Sequence, residues 1–131
     1  MTTTTCELRV RYAETDQMGV AYYGQYFTWF EVGRADLLRE LGTSYREFEG
    51  QEVFLPVVEA HCRYHKPARY DDLLRVTTRL SRPSRVELLF HYEIHRVEEE
   101  LLLATGSTRH VPVDARGRPR RLPDHLARLL Q

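Results

Sequence analysis

One segment limits the folds open to this chain more than any other. Across residues 24 to 41, Tyr26, Phe30, Gly33, Leu37 and Leu41 recur at spacings of three and four. That recurrence marks a single buried stripe along a helix. Gly33 lies on the stripe, where glycine costs about 1 kcal/mol of helix propensity relative to alanine. A packed surface lying close to the helix backbone accounts for it, and Gly42 ends the segment as a C-cap residue. Most of what remains has the period of strands. Residues 6 to 13 read as a short one. At 57 to 64, Val58, Ala60, Cys62 and Tyr64 alternate with Val57, Glu59, His61 and Arg63, and Pro56 places the start of that run at an edge or a bulge. Further runs follow at 73 to 81, 85 to 97 and 100 to 113. "RPS" reads as the tight turn between the first two, with Val86, Leu88, Phe90, Tyr92 and Ile94 sharing one face. A helical turn is expected at 44 to 49, a loop at "DARGRP", and a short terminal helix in "LPDHLARLL", which begins at proline and aspartate. One helix with one apolar stripe covers one face of one sheet, which is an α+β plan. The four strands after the helix are expected to pair as an antiparallel meander, and a second subunit to cover what the helix leaves open.

The chain has 131 residues, 42% of them hydrophobic, which fits a single domain over residues 1–131. Its formal net charge is zero and Lys66 is its only lysine. No global field draws in nucleic acid or an anionic membrane, so "RGRPRR" at 116 to 121 is not read as a nucleic-acid contact. Cys6 and Cys62 suggest no disulfide framework and fit a reduced cytoplasmic setting. Cys62 falls on an apolar strand face and reads as an inert, buried thiol. "MTTTT" has neither the basic region nor the apolar core of a signal peptide, and no apolar run reaches the length of a membrane span. His61 and His65, like His91 and His95, are four apart on strands, which puts each pair about 13 Å apart. No metal site and no cofactor is expected.

The residues with chemistry in them cluster between the first strand and the long helix, in "YAETDQMGVAYYGQYF". Asp16 lies in that connection, where it is either a solvated turn residue or a functional acid on a rigid scaffold. Its neighbourhood favours the second reading. Gly19 permits a left-handed turn. The chain then enters the helix near Tyr22, Tyr23 and Gly24, where free N–H groups project and the helix dipole favours negative charge. A carboxylate beside an anion-stabilising helix end makes two parts of an acyl-transfer site. The pair suits a thioester, because a thiolate, with a conjugate acid of pKa roughly 8.5, departs without a strong acid to protonate it.

The segment "RYAETDQMGVAYYGQYFTWFEVGRADLL" resembles the hotdog-fold acyl-CoA thioesterases of the 4-hydroxybenzoyl-CoA thioesterase and YbgC type. The likeness continues at "RYHKPARYDDLLRVTTRLSRPSR" and reaches "VPVDARGRPRRLP", and so spans nearly the whole chain. It implies a five-stranded antiparallel sheet wrapped around one long helix, and an enzyme that hydrolyses acyl-CoA. Asp16 matches that family's catalytic carboxylate, the backbone N–H of Tyr23 its oxyanion donor, and Gly19 its turn glycine. Tyr23 stands where many YbgC-like members carry His, and Gln25 where they carry Asn, so a His role at that position is not available here. Tyr22 is expected at the substrate. Glu31 is either an exposed ion pair with Arg34 or a polar contact at the acyl end of the pocket. Arg82, Ser84 and Arg85 are either a plain surface turn or, as the resemblance implies, the holders of the CoA phosphates. The resemblance also implies a homo-oligomer, a dimer or tetramer, with sites between subunits. The rival reading is a non-catalytic acyl-CoA-binding module on the same fold. A hydratase is a further option, for which no matching histidine-bearing motif is present.

Overall fold

The apolar stripe of the long helix, α1 (Gln25–Glu40), needs a surface to lie on, and a five-stranded antiparallel sheet supplies it. This computed structural model describes residues 2 to 130. The chain enters through β1 (Thr3–Arg9), makes a 3₁₀ turn at Tyr12–Glu14, and runs through α1 into the short α2 (Tyr45–Gly50). The strands β2 (Val57–Tyr64), β3 (Leu73–Ser84), β4 (Glu87–Arg96) and β5 (Leu101–His110) follow, and α3 (Asp124–Leu129) closes the described chain. The sheet order is β1-β3-β4-β5-β2. A sheet wrapped on one helix in this way is the hotdog arrangement that the resemblance implied.

The core lies between helix and sheet. Leu74, Val76 and Leu80 of β3 and Leu88, Phe90, Tyr92 and Ile94 of β4 are buried beneath Tyr26, Trp29, Phe30, Leu37 and Leu38 of α1. Phe30 stacks on Tyr92, with centroids 4.3 Å apart and ring planes 8° from parallel. Two glycines let α1 approach this closely. A Cβ on Gly33 would collide with Thr78 and come within 2.8 Å of Val76 Cγ1, and one on Gly106 of β5 would meet the ring of Phe30. The reason inferred for Gly33 is therefore borne out. Gly42 takes a φ of 90° at the end of α1, as a C-cap glycine does.

Four expectations need correction. The first strand begins at Thr3 and stops at Arg9, because Tyr12–Glu14 winds into a 3₁₀ turn. The β3–β4 turn is at Arg85 and Val86, not at "RPS". Pro83 and Ser84 continue β3 past a bulge between Ser81 and Ser84, which leaves Val86 exposed at the turn. Only β3, β4 and β5 form a meander. The connection after β2 carries the chain to the far side of β5, so β2 becomes an edge and pairs with β5 alone. Leu41 is only partly buried, and the stripe gains Trp29 and Leu38 instead. The inference from Pro56 holds: β2 is an edge strand, with an irregularity between Val57 and Glu59.

Candidate active site

The loop from Thr15 to Ala21 folds back on itself. Thr15 and Ala21 pair as an isolated bridge, and Asp16 N–H donates to Val20 O at 2.9 Å. Asp16 closes the turn with its own side chain, since Oδ1 accepts from Met18 N–H at 2.9 Å, as short polar turn residues do. Gly19, at φ 80°, takes the left-handed conformation that the turn requires. Oδ2 of Asp16 accepts no hydrogen bond among the described residues. The half-buried carboxylate thus has one oxygen fixed and one free.

The chain then meets the start of α1. Gly24 is its N-cap, and no side chain caps it. The N–H groups of Tyr23 and Gly24 donate to nothing among the described residues, whereas the next one, of Gln25, donates to Tyr22 O at 2.9 Å. Such unpaired donors at a helix start stabilise negative charge. The rings of Tyr22 and Tyr23 lie tilted against each other, 4.6 Å apart, and both are largely exposed. The phenol of Tyr22 is held above its usual range, chiefly by the neighbouring Tyr23 hydroxyl and least by the negative charge of Asp16. Asp16, Gly19 and Tyr22 thus lie on one short connection that leads into the start of α1, where the Tyr23 N–H is unpaired among the described residues.

Two residues of this region escape a reading of the sequence. Glu14 is only 5% exposed. Its carboxylate accepts from Arg11 N–H at 2.7 Å, Arg11 Nη2 at 3.2 Å, Gln25 Nε2 at 3.0 Å and Trp29 Nε1 at 3.3 Å, while its backbone O accepts from Tyr22 N–H at 2.9 Å. Glu14 ties the Asp16 loop to the first turn of α1. The second is Tyr64, at the end of β2, whose hydroxyl donates to Tyr23 O at 2.8 Å. With Val20, Ala21, Tyr23, Tyr26, His65, Lys66 and Pro67 it lines a cleft of about 270 Å³ beside the helix start.

Glu31 makes no ion pair with Arg34. Arg34 is buried, donating from Nε to Tyr45 Oη at 2.7 Å and from Nη1 to Tyr92 Oη at 3.2 Å. Glu31 stays exposed on the rim of a second groove, also about 270 Å³, which runs between α1 and β2 along Phe27, Arg34, Val57, Ala60 and Thr108. Arg82 and Arg85 line a third groove of about 330 Å³ together with Arg121, Leu122, Asp124 and Ala127. Arg82 is partly engaged there, since its guanidinium donates to Ala127 O and Arg85 O, both at 3.4 Å. Ser84 Oγ accepts from Val86 N–H at 3.3 Å, so this hydroxyl shapes the turn. Arg121, from the "RGRPRR" run, is the addition that sequence reading missed.

The family model described as the thioesterase-like superfamily matches residues 10–130. The chain is 38% identical over 108 residues to the putative acyl-CoA thioesterase YneP of Bacillus subtilis, which covers 82% of this chain and 78% of that one. The crystal structure of a hypothetical protein, TT1821, from Thermus thermophilus superposes with a TM-score of 0.90 at 40% identity, over 96% of this chain and 95% of that one. The DHNA-CoA thioesterase of Staphylococcus aureus superposes with a TM-score of 0.91 at 37% identity, over 98% and 86%.

Proposed function

The chain belongs to the thioesterase-like superfamily, and on that premise we propose that it hydrolyses acyl-CoA thioesters to the free acid and CoA, with Asp16 as the reacting carboxylate. The observation that carries this is Asp16 itself, pinned by Met18 with its second oxygen free, in a loop that leads into the unpaired N–H of Tyr23. The thioester carbonyl oxygen takes the Tyr23 N–H, which stabilises the oxyanion as the carbonyl carbon becomes tetrahedral. Asp16 either removes a proton from the attacking water or attacks the carbon itself, forming a mixed anhydride that water then opens. In both cases the C–S bond breaks, the electron pair leaves on the CoA sulfur, and the thiolate departs as a stable anion. A module that only binds acyl-CoA has no need of a carboxylate beside the carbonyl. The nucleotide end of CoA lies against Arg85, Arg82 and Ser84, and the acyl group against Tyr22 and toward Glu31. The protein works in the cytoplasm as a homo-oligomer: β1 and β2 are open edges, and Val57, Val58 and Tyr64 on β2 are exposed apolar side chains that a partner would cover.

The test is Asp16→Asn with free-thiol detection on a panel of short, branched, long and aromatic acyl-CoA thioesters. Turnover should fall by about two orders of magnitude or more, with the fold and acyl-CoA binding retained. A variant that keeps more than about a third of wild-type turnover removes Asp16 from the mechanism.

A further inference from the structure

Tyr64 takes no part in the chemistry set out above, yet it grips the peptide on which that chemistry depends. Its hydroxyl is the one donor to Tyr23 O among the described residues. Phe27 N–H, which in a regular helix would reach back four residues to that carbonyl, donates to Gly24 O at 3.3 Å instead. The grip is braced on its other side. The ring of Tyr64 stands edge-on to Tyr26, with centroids 4.9 Å apart; Ala68 N–H donates to Tyr26 Oη at 3.2 Å, and Ala21 N–H donates to Ala68 O at 2.8 Å. Residues 64 to 68 therefore hold the approach to α1 at two points, Ala21 and Tyr23.

A trans peptide is planar, so the N–H of Gly24 points away from the carbonyl of Tyr23. A hydrogen bond accepted at that carbonyl polarises the N–H of the same unit. The preceding peptide is treated alike, because Tyr22 O accepts from Gln25 N–H. Two successive peptides are thus anchored by their oxygens, and both leave an N–H unpaired. A Cβ at position 24 would lie 3.0 Å from the exposed ring of Tyr22, which would have to shift to admit it. Desolvation, and then the Cys62 thiol, hold the phenol of Tyr64 well above its usual range, so its hydroxyl keeps the proton it donates.

Resting on the assignment of Tyr23 N–H as oxyanion donor, we propose that Tyr64 is a positioning residue: it fixes the Tyr23–Gly24 peptide so that Gly24 N–H joins Tyr23 N–H as a second donor to the thioester oxyanion. Tyr64 is exposed, at 43%, so Tyr64→Phe should fold and melt as the wild type does. Loss of an oxyanion donor costs about a hundredfold or more in kcat; here the donor remains but is no longer held, so kcat should fall about tenfold with KM changed less than about twofold. The amide proton of Gly24 should move upfield in the NMR spectrum of Tyr64→Phe. It should move downfield when a site-specific 3-fluorotyrosine, a stronger donor of nearly the same shape, replaces Tyr64. A Gly24 amide that stays put in either variant overturns the proposal, as does a kcat within about twofold of wild type or a loss carried wholly by KM. Asp16→Asn run alongside separates the two levels. If it is inactive while Tyr64→Phe is fully active, only the role of Tyr64 falls; if both are fully active, the site assignment itself falls.

Discussion

Removing the Glu14 carboxylate would strip the acceptor from four donors at once, two of them on α1. Leaving buried donors such as Trp29 Nε1 unpaired costs about 1–3 kcal/mol. Glu14→Ala should therefore lose stability on that scale in chemical denaturation, and should lower kcat as well, because the Asp16 loop is no longer tied to the helix start. Unchanged kcat in a folded Glu14→Ala protein would show that the loop holds its place without the tie. Gly33→Ala makes a second residue-scale case. Helix propensity alone predicts a gain of about 1 kcal/mol. The added methyl runs into Thr78 and Val76 of β3, and overpacking of this kind costs about 1–3 kcal/mol, so the net effect in denaturant should be a loss; a stabilised variant would mean that the sheet gives way. Gly33 was legible because a glycine on an apolar stripe has few explanations. Glu14 was not, because an acid beside a strand end is usually solvated, and its burial is decided by Arg11, Gln25 and Trp29 acting together.

At the scale of elements, alternation gave the strand faces but not how far each strand runs. Pro83 carries no N–H to donate, so "RPS" looked like the end of a strand; the bulge between Ser81 and Ser84 absorbs it and moves the turn to Arg85 and Val86. That shift changes the arginine groove. Arg85 now stands at the tip of the hairpin, and Arg121 comes in from the segment before α3. The third arginine, Arg82, is bound to the backbone of Ala127 and Arg85, so it ties the hairpin to α3 as well as lining the groove. Replacing Arg85 and Arg121 together with alanine should raise KM for acyl-CoA with little change in kcat, the sign of lost uniform binding. The increase should shrink with added salt, and should be absent for a thioester of pantetheine, which lacks the nucleotide. Equal losses on both substrates would take the CoA phosphates out of this groove. The position of β2 was equally hidden. Period two marks a strand but not its neighbour, and only the path of residues 65 to 72 decides that β2 pairs with β5.

Viewed whole, the molecule has a buried polar chain running through its core from α1 to the end of β5, and that chain sets how stability responds to pH. Arg34 can only donate, so Tyr92 Oη accepts from it, and the buried Tyr92 proton has Thr108 Oγ1, 2.6 Å away, as its one acceptor among the described residues. Thr108 then donates to His110 Nε2 at 2.8 Å, and His110 Nδ1–H donates to Leu55 O at 3.0 Å. That order of donors suits a neutral His110. A proton on Nε2 would face the threonine proton and place a second buried cation near Arg34. Burial, with the charge of Arg34 adding to it, pushes the imidazole down to about 4 from its ordinary 6.5, against the opposing pull of the Leu55 and Pro56 carbonyls. The unfolded chain therefore binds the proton first. Above pH 6.5 the histidine is neutral in both states and has no effect on the slope; as pH falls from there toward 4, only the unfolded state gains the proton and stability drains away, by up to roughly 3 kcal/mol, before levelling off. Denaturation at steps from pH 7 to pH 4 should show that loss in the wild type. His110→Gln should be less stable at pH 7, having given up a well-fitted partner, but its slope across the same window should be shallower by about the same amount. Equal slopes in the two proteins would mean that His110 gains its proton without cost in the folded state, and that the chain from Arg34 runs in some other order.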